Sequence, residues 1–208
     1  MKLDPVLRQI TNHLTGRHRC HAVILYGSRA RGDYNSRSDY DVIGISSRAK
    51  ETYRIAKRSG GKFWDVFVYP ESELRKVKES QLCLLGGKIL LDKKGFVARL
   101  LKRVQKFDKD GPKVKPAWES KMIKTWVDKT LRRSSVGDAE GNFRRLHLIT
   151  MLLEDYFLLR NMWYRGSKEG MLWLERHDPA VHKLFAAVFR KPLDSRSLSR
   201  LAKRVISA

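Results

Sequence analysis

Residues 22–47, AVILYGSRARGDYNSRSDYDVIGISS, decide how the rest of the chain is read. The apolar run VILY, residues 23–26, predicts a buried strand, which Gly27 and Ser28 end in a tight turn. A residue without a side chain lets backbone come close to a ligand, and exposed amides entering a helical turn can hold phosphate oxygens. A basic loop follows, and then a second strand opens with Asp39 and Asp41. Residues alternate faces along a strand, so these two carboxylates project from the same side. The stretch therefore predicts a divalent-metal site beside a phosphate cradle.

A third carboxylate is available further on. The segment Lys62–Tyr69, KFWDVFVY, is rich in aromatic and β-branched residues and predicts a strand with Asp65 in its middle. A lone acid there is costly to bury, so Asp65 is read as a metal ligand, a base, or the ion-pair partner of one of the many arginines. Two Mg²⁺ ions held by such carboxylates suit in-line attack of an oxygen nucleophile on a nucleotide phosphorus.

Gly27-Ser28, then Asp39-x-Asp41, then an aspartate on a later strand resembles the nucleotidyltransferase superfamily with the DNA polymerase beta-like fold. More narrowly, GSRARGDYNSRSDYDV is similar to minimal nucleotidyltransferases and to the antibiotic nucleotidyltransferases that carry a C-terminal helical domain. The resemblance covers residues 20–70 and implies an α+β fold, with an N-terminal mixed β-sheet, palm-like nucleotidyltransferase domain followed by a helical bundle. It implies Asp39, Asp41 and Asp65 as metal ligands and catalytic carboxylates. It also implies Gly27, Ser28 and Arg29 as nucleotide contacts and Ser38 as a support of the loop. The expected reaction moves a nucleoside monophosphate, AMP from ATP in the first instance, to an acceptor hydroxyl of a small molecule, a protein or a tRNA, with release of pyrophosphate. The competing expectation is an inactive member of the fold that binds RNA or a partner protein.

The remainder of the first half predicts an amphipathic helix after the Asp4-Pro5 cap, with Val6, Leu7, Ile10 and Leu14 at helical spacing. A charged surface helix is expected over 48–59, broken by Gly60 and Gly61, with further helix over 71–80. A strand over 88–92 and a helix over 96–107 follow. The linker composition of DKDGPKVKP divides the chain into a domain at 1–108, a linker at 109–116 and a helical bundle at 117–208.

In the second half, Trp118, Met122, Trp126 and Leu131 share one face of a helix over 117–134. The segment 143–164 is apolar nearly all round and predicts the central helix of the bundle, with three more helices over 167–177, 179–189 and 195–206. Along 143–164 the polar residues His147, Thr150, Glu154, Asn161 and Arg165 form one stripe, which Lys168 extends. Glu154 is expected to face the acceptor, orienting or deprotonating it, with Arg165 or Lys168 on the triphosphate. A structural polar seam is the other reading of the stripe. Asp155 is expected to pair with an arginine, and His147 to be structural.

A net charge of +22 with pI near 10.3 exceeds what solubility requires and calls for polyanionic partners. RNA or an acidic protein is favoured as acceptor, since a polycationic aminoglycoside would be repelled. Cys20 and Cys83 form neither a disulfide framework nor a zinc motif, which fits a reducing cytoplasm. No membrane span is expected, and a homodimer would pair through the helical half.

Overall fold

In the computed structural model, residues 4–207 are described, and the chain divides into two compact units, Met1–Asp110 and Gly111–Ala208. The N-terminal unit is built on a mixed five-stranded sheet. Its strands are β1 (Ala22–Leu25), β2 (Tyr40–Ser46), β3 (Tyr53–Ser59), β4 (Lys62–Pro70) and β5 (Lys88–Asp92), in the spatial order β3-β4-β2-β1-β5. Among the described strands, only β2 and β4 run parallel; the other neighbours are antiparallel.

Helix α1 (Pro5–Arg17) starts where Asp4 accepts a hydrogen bond from the Val6 amide at 2.7 Å and Pro5 sits in the first turn. Its Leu7, Ile10 and Leu14 pack on Val23, Leu25, Val42, Trp64, Val66 and Val68, one face of the sheet. Each such buried aliphatic contributes roughly 1.5–3 kcal/mol. On the opposite face Ile24, Ile43 and Ile45 are buried, and α3 (Phe96–Asp110) packs on β1 and β5. The alternate residues of β4 on that second face, Phe63, Asp65, Phe67 and Tyr69, are only half-buried.

Two expectations for this unit are corrected. Residues 53–59 form the edge strand β3, not part of a surface helix. YRIAKRS alternates, with Ile55 packed against the α1-side core and Arg54 and Arg58 on the other face, and such charged side chains protect an edge from stray pairing. Gly60 and Gly61 do not break a helix. Both have positive φ, 58° and 73°, and they form the tight two-residue turn that joins β3 to β4. Residues 71–84 hold two short 3₁₀ turns, Glu71–Leu74 and Glu79–Leu84, in place of one helix.

The C-terminal unit is wholly helical: α4 (Ala117–Ser134), α5 (Ala139–Leu158), α6 (Ser167–His177), α7 (Pro179–Arg190) and α8 (Ser195–Ile206). Helix α5 is central, packing on α4, α6 and α8 through Leu148, Leu152 and Tyr156. It begins four residues earlier than the apolar run, because the Asp138 side chain caps it by accepting from the Gly141 amide at 2.7 Å. It ends at Leu158, well short of residue 164. There Arg160 lies over the Tyr156 ring and donates to the Tyr156 and Val205 carbonyls. Neither expected apolar face is wholly inward. Trp118 and Met122 on α4 are 63% and 58% exposed, and Phe143 and Leu146 on α5 are 69% and 53% exposed.

Candidate active site

The buried strand β1 delivers the chain to Gly27, whose φ of 68° lies in the left-handed region that glycine tolerates. A Cβ at this position would stand 2.2 Å from the Asp41 carboxylate oxygen, so glycine alone lets the turn and the carboxylate touch. The Tyr26 amide donates to the Asp41 carbonyl at 2.9 Å, which fixes that approach through the backbone. The turn expected to hold phosphate and the strand expected to hold metal are thus in contact.

Asp41 and Asp65 are register partners across the parallel β2–β4 pair, so the two carboxylates leave the same face of the sheet side by side. Asp39 precedes β2 by one residue and is exposed at its mouth. The Asp41 carboxyl is pushed up from its usual range, first by burial and then by the negative charge of Asp65 and of Asp39. Among the described residues, no cation pairs with its carboxylate.

Asp65 is different. Arg54, on the neighbouring strand, donates from Nε and Nη2 to its two oxygens at 2.7 and 2.9 Å. This is the planar fork-to-carboxylate geometry that arginine favours. Of the alternatives the sequence left open for Asp65, the arginine pair is the one this structure contains.

The loop between α2 (Gly27–Arg31) and β2 is held by its own side chains. The Asn35 amide donates to Ser38 Oγ at 3.0 Å, and Asn35 Oδ1 accepts from the Arg37 amide at 2.8 Å. Ser38 thus supports the loop. Arg29 donates to the Ser38 carbonyl at 2.8 Å and to the Asp39 carbonyl at 3.0 Å, with its guanidinium 3.8 Å from the Tyr40 ring centre. What Arg29 holds in this structure is the peptide that positions Asp39.

Two further residues belong to the site. The Tyr26 phenol is pushed up, chiefly by burial and then by the neighbouring Cys83, Asp41 and Asp65. Arg54 could have been found from the sequence had residues 53–59 been read as a strand, since alternation then places it on the face of Asp65.

The residues expected from the second half lie in the other unit. Glu154 is half-buried on α5, and Arg165 and Lys168 are exposed. The single polar stripe does not exist as a helix face. His147, Thr150 and Glu154 are on α5, whereas Asn161 lies beyond its end with φ 50° and Lys168 is in the first turn of α6. Among the described residues, no arginine pairs with Asp155. It is 4% exposed, one of its oxygens has no hydrogen-bond partner, and burial, with a smaller contribution from Glu154, pushes its carboxyl up to about 6.

The donor set Asp39, Asp41 and Asp65 suits a hard divalent cation, which takes carboxylate oxygens. The mutual repulsion felt by Asp41 is what such a cation would relieve, and Asp65 would join it on leaving Arg54. Among the described residues, no three His, Cys, Asp or Glu side chains are already gathered to metal-binding distance. No described helix is long and apolar enough to cross a membrane.

Comparison with curated proteins finds no match. Among solved structures, a nucleotidyltransferase-like protein from Exiguobacterium sibiricum 255-15 is similar at 14% identity and a TM-score of 0.44, over 95% of this chain and 75% of that one. That likeness is too distant to bear weight. The family model for the nucleotidyltransferase domain matches residues 7–96, the span from α1 to the first residue of α3 that contains Gly27, Asp39, Asp41 and Asp65. Residues 7–96, which hold the mixed sheet and the glycine turn, are thus similar to a nucleotidyltransferase domain.

Proposed function

We propose that the protein is a Mg²⁺-dependent nucleotidyltransferase that moves a nucleoside monophosphate, AMP foremost, from its triphosphate to an acceptor hydroxyl. The observation that carries this reading is the contact of Gly27 with Asp41, together with the register pairing of Asp41 and Asp65. In the reaction, the acceptor oxygen bonds to the α-phosphorus and the bond from that phosphorus to the β-phosphate oxygen breaks. The electron pair leaves with pyrophosphate, and the hydroxyl proton passes to a carboxylate.

Gly27 and Ser28 would lie against the triphosphate, and Ser38 and Arg29 would keep the loop that presents Asp39 in place. Asp39, Asp41 and Asp65 would hold two Mg²⁺ ions, which when bound neutralise phosphate charge and lower the pKa of the attacking hydroxyl. Arg54 would release Asp65 for this purpose and stay beside it as a cation near the transferred phosphate. Glu154, Arg165 and Lys168 stand in the helical unit, and the proposed donor site is built without them. The Arg54–Asp65 pair is also what a non-catalytic binding module would retain.

The test is transfer of label from each α-³²P nucleoside triphosphate to material in a cell extract, beside a D39A/D41A variant. Label incorporated by the wild type and not by the variant supports the assignment. No incorporation, or equal incorporation by both, supports the binding module. Sensitivity of the product to RNase or to protease identifies the acceptor.

A further inference from the structure

Next to Asp39 lies a pocket of about 510 Å³, lined by the loop residues Ser36, Arg37 and Ser38 and by Arg58, Gly61, Lys62 and Phe63 of the β3–β4 hairpin. Its volume suits a nucleotide-sized group. It shares Asp39 with the site above and includes none of Gly27, Ser28, Asp41 or Asp65. A ligand in it would therefore approach Asp39 from elsewhere than the glycine turn.

Three cations line this pocket against the single carboxylate of Asp39. Among the described residues, none of Arg37, Arg58 and Lys62 has a carboxylate at ion-pair distance, whereas Arg54, on the same strand face as Arg58, is fully engaged by Asp65. Unpaired charges of one sign around a concavity make a field complementary to the opposite sign. They are also placed by structure. The Asn35 side chain fixes the Arg37 backbone, and Arg58 stands opposite Phe63 beside the Gly60-Gly61 turn. Phe63 is half-buried and gives the pocket one aromatic ring.

A neutral or cationic small acceptor has no use for three unpaired cations. An acidic peptide would satisfy the charge and leave the ring without a role. A nucleic acid strand satisfies both, because its phosphates meet the cations and every base has a face that stacks on an aromatic side chain. The net charge of +22 points the same way. We propose that this pocket binds the acceptor of the transfer, and that the acceptor is a single-stranded nucleic acid whose backbone phosphates lie on Arg37, Arg58 and Lys62, with a terminal hydroxyl brought to Asp39. The assignment rests on the nucleotidyltransferase reading, and the bonds made and broken are those given above.

Binding separates this proposal from that reading. A fluorescein-labelled 12-nucleotide single-stranded RNA is titrated with wild type, R58E/K62E, the milder R58Q/K62Q, and a remote control, K93E/K94E, exposed lysines that follow β5 at the opposite edge of the sheet. A DNA of the same sequence and a polyglutamate peptide are run in parallel, with a fluorescent ATP analogue to report the donor site. The expected result is binding by wild type that weakens at least about tenfold in R58E/K62E, by a smaller factor in R58Q/K62Q, and little in K93E/K94E. Removing two phosphate-binding cations should flatten the dependence of log K on log salt by about 1.4. ATP-analogue binding should be unchanged.

Equal losses in the remote control would mean that only the overall field binds, which overturns the pocket assignment. So would unchanged RNA affinity in R58E/K62E, tighter binding of polyglutamate than of RNA, or joint loss of RNA and ATP-analogue binding. The RNA and DNA arms tell which strand chemistry is taken. If pocket-dependent RNA binding is found and no transfer occurs, the pocket stands as a nucleic acid site and the enzymatic reading falls.

Discussion

Arg54 grips both carboxylate oxygens of Asp65, at 2.7 and 2.9 Å, directly beside the register partner Asp41, which has no cation of its own among the described residues. This register pair therefore has one neutralised and one uncompensated carboxylate. If Asp65 is to serve as a metal ligand, Arg54 competes with the metal for it. The variant R54Q is accordingly predicted to lower the Mg²⁺ concentration for half-maximal transfer by about two- to fivefold, the scale of an exposed ion pair. A Mg²⁺ titration of both proteins checks this. An unchanged or higher Mg²⁺ requirement would mean that Arg54 and the metal do not compete.

Gly27 cannot be replaced quietly. In G27A the new methyl would fall 2.2 Å from an Asp41 oxygen, in a backbone conformation that alanine adopts at a cost of about 1–2 kcal/mol. Displacing Asp41 by even ~1 Å is predicted to lower kcat by about 100-fold. Stability should fall only by the strain, as measured by urea unfolding. Wild-type activity in a folded G27A protein would show that close contact of turn and carboxylate is not needed.

Asp155 gives the helical unit a pH dependence. Its folded carboxyl titrates at about 6, above the ordinary value of 3.8, so the folded state holds its proton more tightly than the unfolded state does. The penalty is fully present above pH 6, is relieved as pH falls toward 4, and amounts to about 2–3 kcal/mol by the shift. D155N is therefore predicted to be more stable than wild type at pH 8 by about that amount, with the difference vanishing near pH 4. Denaturant unfolding at both pH values tests it, and an equal difference at the two would show that ionisation is not the cause.

How far the sequence carried can be judged residue by residue. Asp39 and Asp41 are legible because the period of a strand is two and the preceding turn is marked by glycine. Their alignment with Asp65 is not, since β2 and β4 are separated by β3 in sequence and lie side by side only in the sheet. Arg54 was hidden by the charge density of 48–59, which suggests a solvated helix until Gly60 and Gly61 are seen to make a two-residue hairpin turn. The polar stripe through Glu154 assumed one uninterrupted helix. Nothing in the apolar pattern announces that it stops at Leu158, where the Arg160 side chain satisfies carbonyls of two helices. The exposed Trp118 and Phe143 likewise have the spacing of core residues, and periodicity cannot tell an inward face from an outward one.

The most direct test of the central claim compares ATP labelled at the α-phosphate with ATP labelled at the γ-phosphate, for wild type and D41N in the presence of Mg²⁺ and the acceptor fraction. The account predicts that α-label becomes covalently attached, that γ-label appears only in pyrophosphate in equal amount, and that D41N does neither. Attachment of γ-label, or undiminished attachment of α-label by D41N, would contradict it.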